Sequence, residues 1–169
     1  IDAEPDHWHG AYNIPAEWFC THNNELYAFK YGHLWQHNQT DSYCNFFGVQ
    51  YKSRIMPVYN MLGSEIKTYA NISLQANLTP TLTYFRSEVP YVQASDIMDY
   101  EWTNLEGFLY ALIHRNKIVP TFDGYTLDGL LTAERLRTYA LRTLLEFTVT
   151  TTPLQLRICQ IEFSISKGH

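Results

Sequence analysis

From Ile66 to Ala76 the chain alternates with a period of two: Ile66, Thr68, Ala70, Ile72 and Leu74 share one parity. That spacing puts these side chains on one face of an extended strand and is wrong for a helix, whose period is about 3.6. The same period returns at Leu141, Thr143, Leu145, Phe147 and Val149, and predicts a strand over 139–151. Two more alternating runs, Leu26–Lys30 and His33–His37, flank Tyr31-Gly32 and predict a β-hairpin.

The rest of the chain follows the same pattern. Residues 46–59 are β-prone, Asn60–Ser64 form a turn, and Leu82–Phe85 open a short strand after Pro80. Phe108–Ile113 is apolar at both parities and predicts a central strand. Residues 93–104 are polar and acidic and read as a loop, and 130–137 fit a short helix without settling on one. In 154–165 the apolar phase switches: Leu154, Leu156 and Ile158 share one parity, then Cys159, Ile161, Phe163 and Ile165 the other. A switch by one residue predicts a bulge near Ile158-Cys159. Strands 139–151 and 154–165 are expected to pair as a long C-terminal hairpin. The expected class is all-β with little helix, mainly an antiparallel sandwich or barrel-like fold, or a propeller-associated module. Residues 1–169 read as one β-rich domain or the C-terminal fragment of a longer protein. Within it, 1–25 is expected to be an irregular arm packing on a neighbour, and the opening Ile1–Pro5 reads as a processed or partial start.

Composition narrows the function classes. Charged residues are 17% of the chain and aromatics 15%, with 13 Tyr, a balance that suits a subunit packed among other subunits. The net charge is -5 and no Lys/Arg run exists, so the electrostatic footprint of a sequence-specific nucleic-acid binder is missing. No apolar run approaches the roughly 18 residues that a membrane-spanning helix needs. Cys20, Cys44 and Cys159 have neither zinc-type nor CxxC spacing and read as buried free thiols.

Candidate chemistry is sparse. His7, His9, His22, His33 and His37 crowd the first 37 residues, and the pairs 7/9 and 33/37 each share a strand parity. That arrangement suits a metal site, but no HExxH motif or ligand at a characteristic offset accompanies it, and histidines packed beside aromatics explain it as well. Asp96, Asp99, Glu101 and Glu106 offer paired carboxylates for glycoside hydrolysis or Ca²⁺ binding, yet no EF-type loop is present. Asp96 and Asp99 suit turn capping instead. Sequons at Asn38, Asn71 and Asn77 arise readily by chance in an Asn- and Thr-rich strand protein. There is no GxSxG elbow, P-loop or GxGxxG, so no enzyme, cofactor or metal is expected. Trp18, Trp35 and Trp102 are candidates for a carbohydrate-binding platform. Trp8, Trp18, Trp35 and Trp102 are candidate interface anchors.

Five segments, in order, carry a family resemblance. They are Leu26–Asn38, with Tyr27-Ala28-Phe29-Lys30-Tyr31-Gly32 and His37-Asn38; Asn45–Ser53, with Asn45-Phe46-Phe47-Gly48; Val58-Tyr59-Asn60 followed by Ile66–Tyr69; Glu106–Asn116, with Glu106-Gly107 and Tyr110-Ala111; and the ending Ser164–His169. Together they resemble tail structural proteins of podoviruses that infect Bacteroidetes, the crAss-like phages. The sequence departs from that pattern at Tyr31, where a polar turn residue is usual, and at Phe47, where Tyr is commoner. The resemblance implies a virion component of the muzzle or nozzle kind, in the distal tail ring or conduit for genome and protein ejection. Its partners would be copies of itself and other tail proteins. The alternative is a carbohydrate- or receptor-binding β module. A third reading, a glycosidase using two of the four acids, requires them to face each other in one cleft.

Overall fold

The computed structural model describes residues 15–37, 39, 42–87, 92–115 and 135–165. Fifteen strands and one 3-10 turn account for the regular structure among them, as the period-two pattern requires. A three-stranded antiparallel meander comes first: β1 (Trp18–His22), β2 (Glu25–Lys30) and β3 (His33–Gln36). The expected hairpin is β2–β3. Of the stretch read as an irregular arm, Trp18–His22 are therefore strand, and residues 1–14 lie outside the described ones. Then β4 (Asn45–Phe46) and β5 (Val49–Gln50) form a minimal hairpin.

Four two-residue turns share one backbone signature. Asn23-Asn24, Tyr31-Gly32, Phe47-Gly48 and Glu106-Gly107 all have positive φ at both positions. This is the type I′ geometry whose twist matches a right-handed hairpin. Tyr31, Phe47 and Glu106 hold it without being Gly, Asn or Asp, at a cost of roughly 1–2 kcal/mol each.

The remaining strands build two five-stranded antiparallel sheets. One contains β10 (Gln93–Met98), β9 (Leu82–Ser87) and β14 (Leu141–Phe147), with β6 (Ser53–Ile55) and β7 (Val58–Tyr59) end to end along the far side of β14. Pro57 breaks that edge line, where a missing N–H costs least, and its carbonyl still accepts from Thr143 N at 3.0 Å. The other sheet is centred on β8 (Lys67–Ala76). One side of β8 pairs with β15 (Leu156–Ile165). Its other side pairs with β12 (Phe108–Leu112) and then β13 (Arg137–Thr138), while β11 (Thr103–Leu105) flanks β12. Ile113 N to Ala70 O at 2.8 Å and Tyr69 N to Leu136 O at 3.0 Å carry the ladder across from β12 to β13. Strand β12 is thus interior, as expected, but only Leu109, Ala111 and Ile113 face the core, and Leu112 is exposed.

The core joins the two sheets. Tyr69, Ile72, Leu74, Leu109 and Leu136 come from one; Phe85, Ile97, Leu141, Leu145 and Phe147 from the other. Three sequence expectations need correcting. First, β14 and β15 do not form a hairpin. Side by side, Leu141–Phe147 and Cys159–Phe163 would need the same external cover, whereas on opposite sheets they cover each other. Second, Ile66, Thr68 and Ala70 do not share a face with Ile72 and Leu74. Lys67 and Tyr69 point inward, and the register shift against Glu162/Phe163 leaves Ala70 as the extra residue of a bulge. Third, 93–104 is not loop: it holds β10, the 3-10 turn Asp99–Glu101 and β11. Its polar residues are employed, since Gln93 Oε1 accepts from Arg137 N at 2.7 Å and so ties one sheet to the other. The bulge expected in the last strand lies between Leu156 and Ile158, and Cys159, Ile161 and Phe163 then pack on the core. Arg137 belongs to β13, and residues 116–134 lie outside the described ones.

Candidate functional site

The meander has two different faces. Antiparallel register sets Trp18, Phe29 and Leu34 directly opposite one another across β1, β2 and β3. They are 68%, 41% and 57% exposed, so one face carries an apolar row open to solvent. On the opposite face lie Ala28, Lys30, His33, Trp35 and His37, and this face turns toward the β4–β5 hairpin. The rings of Trp35 and His37 each meet Phe47 edge-on, with centroids 5.8 and 5.9 Å away. Lys30, buried despite its charge, donates to the Pro15 carbonyl and lies over both the Tyr31 and Phe47 rings. The hairpin is anchored in turn on the sandwich, where Gln50 Nε2 donates to Val149 O at 2.7 Å and Tyr43 N to Thr150 O at 2.7 Å.

Between β3 and the β4–β5 hairpin is a cleft of about 510 Å³. Among the described residues, Trp35, His37, Tyr43, Phe46 and Phe47 line it with aromatic rings, joined by Gln36, Gln39, Ser42 and Asn45. His37 Nε2 is itself shielded from solvent and has no hydrogen-bond partner among the described residues. Gly48, at φ +76°, lets the hairpin turn while the Trp35 ring lies 3.5 Å from where a Cβ would stand. A shallower depression of about 420 Å³ lies on the outer face of the β8 sheet, lined by Leu105, Tyr110 and Leu112 with Glu101 and His114 at one end.

The residues singled out in the sequence scatter. Trp18 belongs to the exposed row and Trp35 to the cleft, while Trp102 is buried in the sandwich core. No platform of these three exists, and Trp8 lies outside the described residues. His7 and His9 do so as well, His22 ends β1 in solvent, and His33 and His37 flank Trp35. Among the described residues no group of three His, Cys, Asp or Glu is arranged to hold a metal ion. The four acids are not gathered in one cleft. Asp96 is buried within β10; Asp99 Oδ1 accepts from Tyr100 N at 2.8 Å, a turn-capping role. Glu101 accepts from Met98 N at 2.6 Å and pairs with His114 Nε2 at 2.5 Å; Glu106 sits at the tip of the β11–β12 turn.

Two sequons have structural duties. Asn71 Nδ2 donates to Glu162 at 2.8 Å, and the Asn77 amide bridges Pro153 O and Gln155 N at 2.8 and 2.7 Å. Asn38 lies outside the described residues. The cysteines are free thiols, half-buried rather than fully buried. Cys159 lies 2.6 Å from the Tyr59 hydroxyl, and burial pushes its thiol up.

No protein-family model matches this chain, and no curated protein is significantly similar to it. No helix among the described residues is long and apolar enough to cross a membrane.

Proposed function

We propose that this chain is a structural subunit of a bacteriophage tail, contributing a rigid β module to the distal ring or conduit through which genome and proteins leave the virion. The observation that carries the reading is the exposed row Trp18–Phe29–Leu34. It is held on a strand frame, and contiguous exposed apolar patches mark protein contacts. Aromatic and aliphatic anchors of this kind supply most of the energy at a subunit interface, while a charge-poor rim avoids the cost of burying unpaired ions.

The ordered resemblance supports the same reading. Its first segment is β2, the Tyr31-Gly32 turn and β3; its second is the β4–β5 hairpin; its fourth is the Glu106-Gly107 turn with β12. The matching stretches are thus turn-and-strand units. In this role the partners are copies of the chain and other tail proteins, the work is mechanical, and no catalytic group or cofactor is called for.

The test is the native mass of the purified assembly combined with peptide mapping of virions. Stoichiometric rings containing this chain, dispersed to monomers by Trp18→Ser with Leu34→Ser, are expected. A monomer at every concentration, with no peptide found in any particle, would overturn the assignment.

A further inference from the structure

We propose that the open edge of β15 is an interface between copies of this chain: two β15 strands pair antiparallel about a two-fold axis and join their β8 sheets into one. The surface is a different one from the Trp18–Phe29–Leu34 row, and the inference does not rest on the tail assignment. β15 is a 10-residue strand at the rim of its sheet, bonded to β8 on one side only among the described residues. Proteins blunt such edges or use them for pairing. The other rims here are blunted: Pro57 interrupts the β6–β7 line, β11 has three residues, and Gln93–Ile97 of β10 are buried. β15 carries neither Pro nor Lys.

The ladder shows which backbone groups face outward. Ala70 O accepts from Ile113 N, so alternate residues of β8 from Ala70 onward bond β12, and Asn71 and Ser73 bond β15 through Glu162 and Gln160 opposite them. Cys159, Ile161, Phe163 and Ile165 therefore direct their N–H and C=O groups away from β8. Their side chains lie on the core face, yet Cys159, Ile161 and Phe163 are only half-buried and Ile165 is exposed, whereas Ile72, Leu74 and Leu145 inside the sheets are fully buried. A further strand beside β15 would complete both the ladder and the cover of the core.

The strand is complementary to itself in one register. A two-fold axis through Ile161 keeps both core faces on one side and sets Cys159 opposite Phe163 of the second copy, so Cys159, Ile161 and Phe163 all meet bonded partners. On the outer face Gln160 then stands opposite the second copy's Glu162, twice by symmetry. Glu162 Oε2 accepts from Asn71 Nδ2 at 2.8 Å, which leaves Oε1 to accept from the Gln160 amide. An axis through Glu162 would instead set two carboxylates against each other across a pair about 4.5 Å wide. An axis through Gln160 would set Glu162 against Ile158 and Phe163 against Arg157, the extra residue of the bulge. A copy of β15 thus supplies apolar pairs toward the core and an amide against the carboxylate outside. One strand pair is a small contact, so by itself it holds copies together only at high concentration.

The experiment uses the whole chain carrying Trp18→Ser and Leu34→Ser, changes at exposed side chains that take the row out of play whether or not it assembles rings. Sedimentation equilibrium from about 1 μM to about 1 mM is expected to pass from monomer to dimer. Amide exchange at Cys159, Ile161 and Phe163 should slow as the concentration rises, while Gln160 and Glu162, bonded to β8, are protected throughout. Gln160 is exposed, so its variants keep the fold, as the β8 and β14 amides report. Gln160→Lys should tighten the dimer about fivefold and Gln160→Glu weaken it about fivefold, since each changed pair counts twice. Three results would each overturn the proposal. One is a chain still monomeric at about 1 mM, including one whose edge amides only another protein protects. The second is a dimer whose edge amides exchange as fast as the monomer's, and the third a dimer that both Gln160 variants leave unchanged.

Discussion

The Lys30 ammonium lies 5.0 Å from the centre of the Phe47 ring, and this contact fastens the meander to the β4–β5 hairpin. The same ammonium is 4.9 Å from the centre of the Tyr31 ring. Both rings belong to turn residues with positive φ, so two strained turns converge on one cation. A shielded cation–π contact contributes about 0.5–2 kcal/mol, enough to offset much of that strain. Lys30→Met keeps the aliphatic stem and removes the charge. Amide exchange in β1–β3 should then speed up by about tenfold while β8 and β14 keep their protection. Uniform acceleration, or none, would show that the meander is fastened elsewhere.

Glu106 gives the cleaner view of turn strain. It is exposed at φ 52°, next to Gly107 at φ 84°. Glu106→Asn creates the Asn-Gly pair that this turn type favours, and should stabilise the protein by about 1 kcal/mol in urea denaturation. A fall in the midpoint would mean that the glutamate side chain has a stabilising role of its own.

Much of the architecture is legible because it is local. The Tyr31-Gly32 hairpin, β8, β9, β14 and the bulge before Cys159 all announce themselves through period and turn residues. What period cannot reveal is which strand pairs with which. Leu141–Phe147 and Cys159–Phe163 look like hairpin partners because they are neighbours in sequence, and only the need to cover both apolar faces sends them to opposite sheets. Strand β10 was hidden for a different reason: Gln93 and Ser95 face the interior, and Gln93 bonds across to Arg137, so polarity there signals a tie between sheets rather than a loop. The cleft was legible only in part. Trp35 and the histidines drew attention, but Tyr43, Asn45 and Phe47 reach them through tertiary packing. Tyr31 and Phe47, the two departures from the resembled pattern, turned out to hold Lys30.

Acid should act through Glu146. Its carboxylate, on β14 and buried, bonds Lys52 Nζ at 2.6 Å and Arg54 Nε at 2.9 Å. Burial alone would raise its pKa, but the two cations outweigh burial and hold it below the ordinary carboxylate range. A lowered folded value means that the stabilisation is complete above the ordinary value and is lost as pH falls through the lowered one. Glu146→Gln should cost about 1–3 kcal/mol at neutral pH, because the Lys52 and Arg54 charges lose the buried carboxylate's opposite charge. Its urea midpoint should also fall less steeply than the wild type's between neutral pH and pH 3. Parallel acid limbs would assign the acid sensitivity to other groups.

Alkali should act through the core tyrosines. Burial pushes the Tyr69 phenol up to about 12, and burial with the Cys159 contact raises Tyr59 further. A phenol whose folded pKa is raised contributes stability that is complete below its ordinary value near 10 and is lost as pH climbs through the folded one. For Tyr69 alone the loss amounts to about 2–3 kcal/mol by pH 12. Lys67 works in the opposite sense. Burial lowers its pKa, so raising pH toward its ordinary value of about 10.4 relieves the cost of a buried ammonium. Stability should therefore hold or rise slightly up to about pH 10 and fall beyond it, with phenolate absorbance appearing together with the loss of strand signal. Tyr69→Phe removes only the hydroxyl, whose bond to Tyr59 O is long at 3.3 Å, so its cost at neutral pH should stay within about 1 kcal/mol. Above pH 10 the variant should lose stability less steeply than the wild type. If the two curves stay parallel, the Tyr69 phenol ionises without opposing the fold, and Tyr59 must carry the alkaline limb.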